Sequence, residues 1–63
     1  MSQKELLYLE DAIGHEDTII KICNDRISNI DDEEIVSFLN SEVQKHTETK
    51  EKLINLLEVK SNG

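Results

Sequence analysis

The sequence predicts an all-α protein, an antiparallel hairpin of two helices, about residues 3–29 and 32–60, that dimerises into a four-helix bundle. Three observations predict it. The 63 residues include no proline and two glycines, so nothing interrupts a long helix except one turn-like cluster near residues 28–32. On both sides of that cluster apolar residues recur at alternating steps of three and four. The two stripes also fit one another in antiparallel register.

Ser2 followed by Glu5 has the spacing of a capping box, so the first helix starts almost at the N-terminus. Leu6, Leu9, Ile13, Glu16, Ile20, Cys23, Ile27 and Ile30 form its seam, with Glu16 as the one polar intruder. Leu7, Ala12, Ile19 and Ile22 widen the stripe, as packing on more than one neighbour requires. Gly14 lies mid-helix, where glycine costs about 1 kcal/mol relative to alanine. It marks either a close helix approach or a tolerated defect.

Ser28, Asn29, Ile30, Asp31 and Asp32 form the turn, and Asp31 or Asp32 caps the second helix. Asp32, Glu33 and Glu34 suit its positive N-terminus. Its seam reads Ile35, Leu39, Glu42, His46, Thr49, Leu53 and Leu56, flanked by Phe38, Val43, Ile54 and Leu57. Ser61, Asn62 and Gly63 are expected to fray. Between Val43 and Leu53 nine consecutive residues, Gln44 to Lys52, are polar or charged. Pairing Ile27 with Ile35, Cys23 with Leu39, Ile20 with Glu42, Glu16 with His46, and so on to Leu6 with Leu56, keeps the constant sum of residue numbers that an antiparallel pair demands. In that register Glu16 faces His46, one layer from Glu42. A lone hairpin buries one side of each helix, so a homodimer or higher oligomer is expected.

The totals bound the function. The chain is a single domain, residues 1–63, near the lower size limit for an independent core. A net charge of −7 argues against a nucleic-acid partner, which clustered Lys and Arg would recognise. No apolar run approaches the roughly 18 residues of a membrane span, and the N-terminal stretch has no signal-peptide pattern. A single cysteine fits a reducing, cytoplasmic setting with Cys23 as a small core hydrophobe.

Two glutamates and a histidine on buried seams require partners, because an unpaired buried carboxylate costs several kcal/mol. A metal would supply one: carboxylate oxygen and neutral imidazole suit iron, manganese or zinc. Glu42 and His46, at i and i+4, project from one helix face while Glu16 reaches in from the other helix. Doubled by a twofold axis they become four Glu and two His, the ligand inventory of a carboxylate-bridged di-iron centre. The other reading is a salt-bridged polar layer without metal.

The runs Leu9-Glu10-Asp11-Ala12-Ile13 through Glu16, Asp31-Asp32-Glu33-Glu34-Ile35, Phe38 through His46, and Glu51-Lys52-Leu53 resemble a half-bundle of the rubrerythrin and ferritin-like superfamily. The resemblance spans nearly the whole chain. It implies a metal-bound bundle that handles iron with oxygen or peroxide, built by dimerisation as in the single-hairpin encapsulated ferritins. One departure stands out: the family motif is Glu-x-x-His, and Val43 occupies the position three before His46, with Glu42 four before. Catalysis therefore stays open. The alternative is a non-catalytic, self-associating helical module, such as a small coat or regulatory protein, with a metal-free site.

Other residues read more plainly. His15 is a surface histidine beside the seam or an extra ligand, and Tyr8 packs. Glu10 and Glu48 are solvated. Lys45, Lys50, Lys52 and Lys60, interleaved with Glu48, Glu51 and Glu58, form a salt-bridged exposed face.

Overall fold

The computed structural model describes residues 1–62. They form two helices and no strand, α1 (Gln3–Ile27) and α2 (Glu33–Asn62), joined by a short turn into an antiparallel hairpin. At 1.5 Å per residue a 30-residue helix is about 45 Å long, and the molecule measures 46 × 15 × 11 Å. Its radius of gyration is 14.6 Å, against about 11 Å for a compact domain of this length.

Side chains write the helix ends. Ser2 Oγ accepts from the Glu5 amide at 3.1 Å, and Glu5 Oε1 accepts from the Ser2 amide at 2.8 Å. The capping box is therefore formed as expected. The Ser2 amide, donating to the Glu5 carboxylate, is the main cause that holds this carboxyl below its ordinary pKa, with the Ser2 hydroxyl adding to it. Both predicted boundaries at the turn need correction. α1 stops at Ile27, two residues early, because local side chains take over its last carbonyls: Ser28 Oγ donates to Asn24 O at 3.2 Å and Asn29 Nδ2 to Asp25 O at 2.8 Å. Of the two candidate caps, Asp32 is used: its Oδ1 accepts from the amides of Glu34, at 2.9 Å, and Ile35, at 3.1 Å. At the far end the expected fraying at Ser61 and Asn62 is not seen: α2 runs through Asn62, with Ser61 Oγ donating to Leu57 O at 2.6 Å. Gly63 lies outside the described residues.

The seam of α1 is the expected one. Leu6, Leu9, Ile13, Glu16, Ile20, Cys23 and Ile27 are half-buried, and Ile30 closes the turn end. The seam of α2 is not. Ile35 and Leu56 are 46% and 44% exposed, Thr49 is exposed, and Val36, Lys50 and Leu57 occupy the inward positions instead. The observed set, Val36, Leu39, Val43, His46, Lys50, Leu53 and Leu57, keeps the three–four rhythm but is turned by part of a residue step. Two equally regular apolar rows run along α2. The row that turned inward carries Val43 where the other offers Glu42, and Lys50, tied to Asp17, where the other offers Thr49. Phe38, expected to flank the seam, is 61% exposed, and so is Tyr8, which was expected to pack.

No described residue is fully buried. Each helix has one neighbour, so even the best-placed leucine keeps water on its flanks.

Gly14 is an exposed helical position whose added Cβ would meet nothing within 4 Å, so within the hairpin it marks no close helix approach. Gly14→Ala should raise stability by about 0.5–1 kcal/mol, read as the denaturant midpoint; a loss would place a neighbour against this position. Asp32→Ala should lower stability by about 1 kcal/mol in the same measurement, as loss of an N-cap does.

Candidate functional site

Halfway along the hairpin the apolar seam gives way to charge. Glu16 on α1 and His46 on α2 meet directly across the seam, His46 Nδ1 against Glu16 Oε2. The pairing is the one that the antiparallel register demanded. One turn before His46 on α2, Glu42 places Oε2 3.6 Å from the Nε2 atom of the same imidazole. That distance is outside hydrogen-bond range. Glu42 Oε1 in turn lies 3.8 Å from Lys45 Nζ. The three side chains are mostly shielded, with 16%, 23% and 27% of Glu16, Glu42 and His46 exposed. All three expected site residues are thus brought into one layer.

A second string of charge passes along the other side of the seam. Asp17 Oδ1 accepts from Lys50 Nζ at 2.8 Å, and Asp17 Oδ2 is 3.3 Å from Lys21 Nζ, one turn along α1. Two lysines donating to one carboxylate hold the Asp17 carboxyl below its ordinary pKa, Lys50 contributing most. Sequence reasoning missed this pair. Lys50 reads in the sequence as one of the solvated lysines, although its four-residue spacing from His46 also allows it on the inward row. The Asp17–Lys21 spacing, i to i+4, was the other available signal. His15 is exposed, as expected for a surface histidine, and Cys23 is half-buried and free.

Glu16 and Asp17 are consecutive, about 100° apart around α1, so they straddle the seam and reach α2 on opposite sides of it. Two cross-helix ties at one level resist rotation of either helix about its own axis. They also oppose slippage of the register, since a shift would break both ties at once.

The donor set bears on metal binding. Among the described residues no group of three or more His, Cys, Asp and Glu side chains is arranged to hold a metal ion. The geometry gives the reason: the imidazole lies between the carboxylates, with Glu16 occupying Nδ1, so the three do not converge on a common point. One chain leaves two groups free to share an ion, His46 Nε2 and Glu42 Oε2. Two ligands fall short of the four that a structural zinc site takes. Near the open end, Met1, Glu5, Leu9, Leu56 and Lys60 line a shallow groove with no comparable cluster. No helix among the described residues is long and apolar enough to cross a membrane.

Comparison with family models, curated proteins and solved structures finds no match to this chain.

The lowered Asp17 pKa sets a pH dependence. A carboxyl whose folded pKa is depressed adds stability above its unfolded value and loses it as pH falls through the folded value. Wild type should therefore melt above Asp17→Asn at pH 6, and the gap should close as pH falls below the ordinary value of 3.8. An equal gap at pH 6 and pH 2.5 would show that Lys50 and Lys21 do not act through the Asp17 charge.

Proposed function

We propose that this chain is a self-associating helical module, two hairpins forming a four-helix bundle, with Glu16, His46 and Glu42 as a polar layer that sets register. The supporting observation is surface. The chain exposes 4878 Å², whereas a compact monomer of 7.2 kDa exposes about 4,100 Å². The excess is close to the roughly 800 Å² that each partner buries in a standard interface. A hairpin without one fully buried residue among those described lacks the core that stabilises a domain of this size alone. Pairing supplies each helix with a second neighbour.

A ferritin-like metal centre is the second reading, favoured by one observation. In metal sites, histidine commonly gives one ring nitrogen to the metal and the other to a carboxylate. His46 has Glu16 on Nδ1, and its Nε2 shares a side with Glu42. Iron, manganese or zinc would then be held by His46 and Glu42 from two copies, with Glu16 orienting the imidazole rather than binding. A bound metal would supply Lewis acidity or, for iron, redox chemistry.

Light scattering should give a mass of at least twice 7.2 kDa, with a melting temperature that rises with protein concentration. A concentration-independent monomer would overturn the module. The double change Glu16→Leu, His46→Leu separates the two readings. A metal-free polar layer predicts a gain of about 1–4 kcal/mol, as when a buried ion pair is replaced by apolar residues. A metal centre predicts instead that wild type melts higher with Fe(II), Mn(II) or Zn(II), and that this rise disappears with His46→Ala.

A further inference from the structure

The two sides of the hairpin are unlike. On α1 the residues just before each seam position are Glu5, Tyr8, Ala12, His15, Ile19, Ile22 and Arg26, and on α2 they include Ile35, Phe38, Glu42, Lys45, Lys52 and Leu56. Each is turned about 100° from the seam. Because the sense of rotation reverses with chain direction, the residues preceding the seam on both helices lie on one side. The residues that follow the seam lie on the other.

Most of the exposed large hydrophobics fall on the preceding side. Tyr8 and Phe38 are each 61% exposed, Ile22 is 52%, Ile35 46% and Leu56 44%. They form two patches. Tyr8 and Leu56 lie near the open end, and Ile22, Ile35 and Phe38 near the turn. The Glu16–His46–Glu42 layer lies between them. Ionised groups on this side are mixed, Glu5 and Glu42 against Arg26, Lys45 and Lys52, in a chain whose net charge is −7. The opposite side has Glu10, Asp17, Glu51 and Glu58 against Lys21 and Lys50, with Leu7 as its one large exposed hydrophobic on α1. Two copies meeting there would bring like charges together, which disfavours association.

We propose, resting on the self-association inferred above, that the preceding face receives a second copy of this chain, so that each copy's Glu16–His46–Glu42 layer meets its partner's. The face is apolar at both ends and charge-balanced in the middle, as a self-complementary twofold contact requires. The surface excess per chain matches what one such contact buries.

Thiol labelling tests the face without dissociating the protein. In a Cys23→Ala background, Ile22→Cys probes the proposed face and Gln44→Cys the opposite one, each followed by labelling rate against protein concentration with mass measured on the same samples. The expected result is a dimer in which Ile22→Cys labelling slows as concentration rises while Gln44→Cys labelling does not change. A dimer that protects Gln44→Cys and leaves Ile22→Cys reactive would overturn the face while self-association stands. A monomer at every concentration would overturn both. Phe38→Glu gives the second readout: it should shift the mass from two chains toward one, and Gly14→Ala, on the opposite side, should leave it unchanged. An unchanged mass for Phe38→Glu would count against the face.

Discussion

Everything in this molecule follows from the fact that each helix has one neighbour. A helix is roughly 10 Å across, so a single partner covers only part of its circumference. That is why the seam leucines and isoleucines stop at half burial and why no described residue is removed from water completely. Hydrophobic stabilisation scales with area buried, and the hairpin leaves much of its apolar area on the flanks. The apolar stripe, with Ile19 and Ile22 beside Ile20 and Cys23, is wider than one neighbour covers.

Against that background the charged layer has a structural role whether or not an ion visits it. A seam of interchangeable aliphatic residues tolerates sliding, because one leucine packs much like another. Glu16 with His46 and Asp17 with Lys50 are specific by type and by level. They add little to the apolar area and much to the definition of register, as a polar seam residue does in coiled coils.

The fold was largely legible in the sequence. The absence of proline, the Ser2–Glu5 spacing and the seam of α1 rest on local rules that the structure follows residue by residue. So did the opposition of Glu16 and His46, since register is arithmetic once the turn is located. What escaped was rotational. In α2 the rows through Val36 and Leu57 and through Ile35 and Leu56 are equally regular, and only the partner helix decides between them. Lys50 was misplaced for the same reason: a lysine on an apolar row reads as an error until a carboxylate such as Asp17 is found opposite. The helix ends at Ile27 and Glu33 were set by Ser28, Asn29 and Asp32 side chains, whose choice among competing backbone groups is not visible in spacing. The meeting of Glu16 with His46, and Glu42 one turn from them, was legible; the way the imidazole sits between two carboxylates was not, because it depends on side-chain torsions.

The single short turn also governs the order in which contacts can form. Residues beside it, such as Ile27 and Val36, meet by closing a loop of a few residues. The Glu16–His46 contact spans 30 residues, and contacts at the open end span more still. The entropy of closure rises with loop length, though slowly, so contacts beside the turn cost least to close and those at the open end most, with the charged layer midway between them.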